Sequence, residues 1–244
     1  MNGKPIILVT GGTRGIGYSI VSKMLSEGKQ VICCSREKRE HVHEQFAKLL
    51  LSNEHLLDYV VCDVTSEDAV EQLFSYIWKK YKKLDVLVNN VGGSVKKALL
   101  AMNTEEIKNI LAINLLSAIY CTKNAVKLMI LQHKGKIINI SSTAGTNGLP
   151  LESAYCAAKA GIIGFTRSVA KEYGGKGIQC NVVAPGIIQT ESNNAFPPED
   201  IVKKIPQKRI GTPLDVAEVV NFLASEQAAY ITGQVVKVDG GLYI

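Results

Sequence analysis

Ile6-Ile7-Leu8-Val9-Thr10-Gly11-Gly12-Thr13-Arg14-Gly15-Ile16-Gly17 decides the fold of this 244-residue chain. Ile6 to Val9 is a short apolar run rich in β-branched residues, the pattern of a strand buried on both faces. The glycines follow at once. After them Ile20, Val21, Met24 and Leu25 form one stripe of a helix that stops at Gly28. Strand, glycine turn and helix make a unit that can hold a pyrophosphate. Glycines let the backbone come close, and the first helical turn offers unpaired N–H groups and the positive end of its dipole. The spacing is TGxxxGxG rather than GxGxxG, and the strand–helix context gives it meaning.

The alternation continues outward from this unit. Val31 to Cys34 is a second strand, followed by Ser35-Arg36. In dinucleotide folds an acid near this point bonds the ribose 2′-hydroxyl, whereas an arginine accommodates a 2′-phosphate. Arg36 stands where the acid is expected, and Arg14 lies in the glycine loop. Residues 37–52 read as one charged amphipathic helix. Tyr59 to Cys62 is a third strand ending at Asp63-Val64, and Thr65 to Asp68 caps a helix that runs to about Tyr81. Leu84 to Val88 is a fourth strand, closed by Asn89-Asn90-Val91-Gly92-Gly93. Open parallel sheets bind ligands at such strand ends. A long helix spans roughly 104–132, with Ile107, Leu111, Leu115, Ala118 and Met129 on its stripe. Asn114 falls on that stripe, and a polar residue there is either hydrogen-bonded in the core or functional.

Lys136 to Ile140 is a fifth strand ending at Ser141-Ser142. Ile178 to Ala184 is a sixth, ending at Pro185-Gly186, and Gly233 to Val238 is the last. Residues 187–210 break the rhythm with Pro197, Pro198 and Pro206, at a strand end where a substrate lid would sit. Thr212-Pro213-Leu214-Asp215 then opens a helix with a cap, a proline at the first helical position and an acid in the first turn. The unbroken alternation predicts one α/β domain over 1–244. It is a Rossmann-type doubly wound parallel sheet of about seven strands with helices on both faces.

Between the fifth and sixth strands lies Tyr155-Cys156-Ala157-Ala158-Lys159. Ala154, Ala157, Ala158, Gly161, Ile162, Phe165 and Val169 recur at helical intervals, so Tyr155 and Lys159 share a face. A cation beside a phenol favours the phenolate and lowers its pKa, which a proton donor near neutral pH requires.

Composition excludes several classes. Hydrophobic content is 46% and charged content 20%, which allows a sizeable core and argues against disorder. The net charge of +6 is scattered lysine rather than a block, so it gives no reason to expect nucleic acid. The six cysteines form no CxxC pair, and Cys121, Cys156 and Cys180 sit inside apolar segments; they read as buried thiols of a reduced compartment. His41 and His43 would face different sides of a helix, so no metal set is expected. No charged leader precedes a long apolar core and no apolar run reaches eighteen residues. A cytoplasmic protein without signal peptide or membrane span is therefore expected.

Thr10-Gly11-xxx-Gly15-x-Gly17, Asp63, Asn89-Asn90-Val91-Gly92, Asn114, Ser142, Tyr155-xxx-Lys159 and Pro185-Gly186-xxx-Thr190 occur in this order. The chain thereby resembles the short-chain dehydrogenase/reductase family over essentially its whole length. Val91 departs from the family's usual alanine and crowds the cofactor wall without removing a reacting group. The resemblance implies that Tyr155 is the general acid and that Lys159 tunes it and holds the nicotinamide ribose. Ser142 would polarise the carbonyl, and Asn114 would anchor a water leading from Lys159 to solvent. It implies an NADP(H) site at Gly11, Thr13, Arg14, Gly15, Ile16, Gly17, Arg36, Asp63, Val64, Asn90, Gly92, Tyr155, Lys159, Pro185, Gly186, Ile188 and Thr190.

Asn181-Val182-Val183-Ala184-Pro185-Gly186, Ala228-Ala229-Tyr230-Ile231-Thr232-Gly233 and the Gly-Gly-Leu-Tyr ending are similar to 3-oxoacyl-ACP reductases of fatty-acid synthesis. That likeness implies NADPH-dependent reduction of a 3-oxoacyl thioester, an acyl carrier protein as partner and a homotetramer joined through helices at about 104–132 and 152–174. A carrier would dock on Lys127, Lys134, Lys136, Arg167, Lys171 and Lys176 near the site. Reduction of a free ketone, sugar or polyketide on the same fold, or a non-catalytic dinucleotide sensor, are the alternatives.

Overall fold

The computed structural model describes residues 4–191 and 199–244. In chain order the elements are β1 (Ile6–Thr10), α1 (Gly15–Ser26), β2 (Gln30–Ser35), α2 (Glu44–Ser52), β3 (Leu57–Val61), α3 (Glu67–Tyr81) and β4 (Val86–Asn89). Then come α4 (Thr104–Leu111), α5 (Ser117–Gln132), β5 (Gly135–Ile140), α6 (Ala144–Asn147), α7 (Ser153–Tyr173) and β6 (Ile178–Pro185). The last are α8 (Glu199–Lys204), α9 (Pro213–Ala224) and β7 (Val235–Val238).

The seven strands form one sheet in the order β3-β2-β1-β4-β5-β6-β7. Every pairing is parallel. Alternate residues of each strand are buried on opposite faces of the sheet, which is why the strands read as continuous apolar runs. Ile7, Val9, Val31, Val86 and Val88 meet Ile20 and Met24 of α1, Phe46 of α2 and Val216 and Val220 of α9 on one face. Leu8, Ile32, Leu87 and Ile137 meet Leu73 and Ile77 of α3, Cys121 and Met129 of α5 and Val169 of α7 on the other. The chain leaves β1 toward β2 and β3, then returns to place β4 on the opposite side. The crevice beyond β1 and β4 is thus the switch point where such sheets take ligands.

Two helices differ from the periodic reading. Residues 37–52 are not one helix: a 3-10 turn at Arg39–His41 is followed by extended backbone at Val42, and α2 begins after His43, whose side chain accepts from Gln45 N–H. The charged residues around that break mimic an exposed helical face. The long helix at 104–132 is interrupted by a π turn at Ala112–Leu116 between α4 and α5. Of the six cysteines read as buried, five are, whereas Cys156 is half-buried. Among the described residues no helix is long and apolar enough to cross a membrane.

Candidate active site

The glycine turn is locked to the end of β4. Thr10 Oγ1 accepts from the N–H groups of Asn90 and Val91 at 3.1 and 3.3 Å. The Asn90 amide donates to the carbonyls of Thr10 and Gly11 at 3.0 and 2.9 Å. Gly17 allows this closeness, because a Cβ there would lie 2.2 Å from the Gly11 carbonyl oxygen. Val91 presses on the same turn: a Cβ on Gly11 would meet its Cγ2 at 3.0 Å.

The first turn of α1 holds no acid, and the Arg14 side chain makes no cap bond. Its N–H groups, without partners inside a helix, therefore remain for an anion. Arg14 and Arg36 are both exposed, and among the described residues neither forms an ion pair. Thr13 is buried and its hydroxyl donates to Glu37 Oε2 at 3.4 Å. Glu37 is a residue that the sequence reading passed over. It is held by Tyr59, whose hydroxyl donates to the Glu37 carbonyl at 2.5 Å. Asp63 turns one carboxylate oxygen toward Thr65 N–H and Oγ1, and the Val64 side chain is in the core. At the other side of the crevice, a Cβ on Gly15 would meet Thr190 Cγ2 at 3.6 Å. Ile188 is buried and bridges to Gly211, while Gly186 N–H donates to the Val238 carbonyl at 2.9 Å. A groove of about 600 Å³ opens beside α1, lined by Gly15, Tyr18, Ser19, Thr190 and Pro213 among others; Tyr155 takes no part in it.

The second half of the site surrounds the C-terminal end of β5. The Tyr155 hydroxyl lies near enough to the Ser142 side chain for that hydroxyl to favour the phenolate. Ser142 is itself fixed by the N–H of Ala144, which donates to its Oγ at 3.1 Å. Lys159 is 3% exposed and donates from Nζ to the Ile140 carbonyl at 2.9 Å. The same ammonium lies 5.7 Å from the centre of the Tyr155 ring. Asn114, at the π turn, accepts from Gly93 N–H at 3.0 Å and donates to the carbonyls of Gly93 and Ile110 at 2.8 and 3.0 Å. Gly92 is pinned between these groups: a Cβ there would meet Asn114 Oδ1 at 2.8 Å and Lys159 Nζ at 2.9 Å.

The electrostatics differ from the simple expectation of a lowered phenol. Burial pushes the Tyr155 phenol up, the Ser142 hydroxyl pulls it down, and the nearby Glu152 and Cys156 push it up again; the net direction is upward. Lys159 is pushed down to about 8, and burial is the cause. A buried ammonium with that affinity gives up part of its charge just above neutral pH, so within the chain alone it does not offset the phenol's own burial.

The basic residues expected near the site are placed elsewhere. Lys136 is 5% exposed and its ammonium donates to the Ser225 carbonyl, so it is part of the interior. Lys134 pairs with Glu226 at 3.0 Å. Arg167 and Lys171 lie roughly 18 to 24 Å along α7 from Tyr155, at about 1.5 Å per residue. With Lys134 and Lys176 they flank the N-terminal ends of β5 and β6, the pole opposite the crevice.

A phosphate-ready crevice at a switch point, flanked by a hydroxyl, a phenol and a buried ammonium, defines a dinucleotide-dependent oxidoreductase. The chain belongs to the short-chain dehydrogenase/reductase family: the family profile described as enoyl-(acyl carrier protein) reductase matches residues 11–243. It is 39% identical over 238 residues to a 3-oxoacyl-[acyl-carrier-protein] reductase of Synechocystis, covering 97% of this chain and 96% of that one. It is also 39% identical to the 3-oxoacyl-[acyl-carrier-protein] reductase FabG of Haemophilus influenzae over 247 residues, the whole of both chains. Among solved structures, that titled "ElxO with NADP Bound" superposes with a TM-score of 0.92 at 36% identity, covering 98% of this chain and 99% of that one.

Proposed function

We propose that the protein is an NADPH-dependent reductase of 3-oxoacyl thioesters, carried in the cell on acyl carrier protein. The observation that carries this reading is the meeting of Ser142, Tyr155 and Lys159 at one strand end beside a phosphate-ready turn. Two neighbouring hydroxyls can both turn to one carbonyl oxygen. Bound there, the cofactor supplies the hydride. Ser142 orients and polarises the carbonyl, and Tyr155 protonates the oxygen as charge develops on it. Lys159 holds the ribose and stabilises the phenolate, and Asn114 keeps the Gly92–Gly93 turn against Lys159 while anchoring the water that reprotonates it.

The N–H groups of Gly15, Ile16 and Gly17 receive the pyrophosphate, with Gly11 and Thr13 shaping the turn. Arg14 and Arg36 take the 2′-phosphate, Asp63 and Val64 border the adenine, and Asn90 the adenosine side. Pro185, Gly186, Ile188 and Thr190 close the nicotinamide end. The lid spans 187–210; its residues 192–198 lie outside the described part, and α8 lies within the rest.

The working form is a cytoplasmic homotetramer, supported by the exposed Leu116 and Leu131 on the π-interrupted helix. A monomer mass by light scattering at micromolar concentration would reject that assembly. The activity is tested with NADPH and acetoacetyl against crotonyl thioesters. Oxidation of NADPH with acetoacetyl alone is expected, and preference for the enoyl thioester would overturn the reading. Placement of the basic residues at the far pole favours a free carbonyl compound as the second reading, which predicts equal turnover of carrier-bound and free substrates.

A further inference from the structure

Three residues before Tyr155, Glu152 brings a carboxylate into the site. It is 7% exposed, yet among the described residues no lysine, arginine or histidine pairs with it. Its side chain does not cap α7, although it stands at the N-cap position. Among the described residues the one hydrogen bond its carboxylate receives comes from Ser94 Oγ at 3.5 Å, beyond the usual range for a hydroxyl donor. Buried carboxylates normally accept several bonds or pair with a cation, because an unpaired buried charge is strongly unfavourable. The positive end of α7 offsets part of that penalty.

The position of Glu152 is set by two walls. Its own backbone opens α7, and its N–H donates to the Leu149 carbonyl at 3.3 Å. Ser94 follows the Gly92–Gly93 turn that lies on Lys159 and Asn114. The two segments are joined again where Lys97 N–H donates to the Leu151 carbonyl at 2.7 Å. The carboxylate therefore lies between the turn that follows β4 and the helix that carries Tyr155, close enough for its charge to raise the phenol. The carboxylate thus stands beside the phenol on which a carbonyl compound would be seated.

We propose that Glu152 determines substrate specificity. Its carboxylate excludes substrates that carry a negative charge close to the reacting carbonyl. Free 3-oxo acids are thereby rejected while their neutral esters, thioesters and amides are admitted. Like charges brought together in a site removed from water repel strongly, whereas a neutral ester or thioester meets no such repulsion. The inference rests on the reading of the site as a carbonyl reductase and deepens it.

The test compares kcat/KM for 3-oxobutanoate with that for its neutral ethyl ester and its N-acetylcysteamine thioester, using NADPH. In the wild type the acid should be disfavoured at least a hundredfold. Glu152→Gln, which keeps the shape and removes the charge, should lower that ratio by tenfold or more, chiefly through a lower KM for the acid. Ser94→Ala keeps the charge and should keep the exclusion, which separates charge from packing. An unchanged ratio in Glu152→Gln, or an equal fall in Ser94→Ala, would overturn the proposal. Turnover of the ester without turnover of the thioester would sink the carrier-substrate reading, and the acid-to-ester ratio would still decide this one.

Discussion

Replacing Lys159 by methionine should change how stability depends on pH. Lys159 is buried, and its ammonium affinity falls from an ordinary 10.5 to about 8 in the folded chain. Because the folded value is the lower one, the unfolded chain binds more protons between these two limits, and stability must rise with pH across that window. Each tenfold in proton affinity is about 1.4 kcal/mol, so at pH 7 the charged, buried group makes folding less favourable by about 3 kcal/mol. Near pH 10 the folded group is neutral and most of that penalty is gone, a recovery of about 2 to 3 kcal/mol. Lys159→Met has no such recovery. Urea unfolding of both cofactor-free proteins, at one protein concentration and at steps from pH 7 to 10, isolates the group, since all other titrations are shared. Wild type should gain on the variant by that amount, equivalent to roughly 5–10 °C in Tm for a chain of this size. A difference that stays flat with pH would refute the claim that this ammonium is buried without a charged partner.

Tyr155→Phe should lower turnover by about 10²–10⁴, the usual loss on removing a general acid, with cofactor binding by fluorescence little changed. Gly92→Ala forces the Lys159 ammonium or the Asn114 amide to move; loss of the Lys159–Ile140 bond, about 1.5–3 kcal/mol for a charged donor, predicts a fall in kcat of roughly ten- to a hundredfold. Steady-state kinetics with wild-type kcat in that variant would show that the contact is idle. Arg36→Ala should weaken NADPH binding about tenfold or more and leave NADH nearly unchanged by titration calorimetry; equal losses would remove Arg36 from the phosphate site.

Much of this was legible in the sequence for a physical reason. Strands buried on both faces appear as unbroken β-branched runs, so β1, β2, β4, β5 and β6 stand out. The residues bearing reactive groups lie just past those runs because the sheet delivers them there. What stayed hidden depends on contacts across the fold. Glu37 reaches back to Thr13 over a turn that no periodicity announces. Lys136 reads as a surface cation until its strand position shows that the chain end of α9 covers it. The π turn at Asn114 escapes because apolar residues continue smoothly through it, and a 3.6-residue period cannot register a single residue too many.

That extra residue has a consequence for how the molecule can change. Within an unbroken α-helix, rotating one residue toward a new direction would rotate every residue after it. A single π turn takes up the offset locally, so α4 and α5 keep independent gearing. The side facing Gly93 can be adjusted while Cys121, Ala125 and Met129 remain seated on the sheet. A lineage could alter the approach to Lys159 through substitutions at 112–116 without rebuilding the central layer, and the reactive end of the helix is free to diversify where the packed end is not.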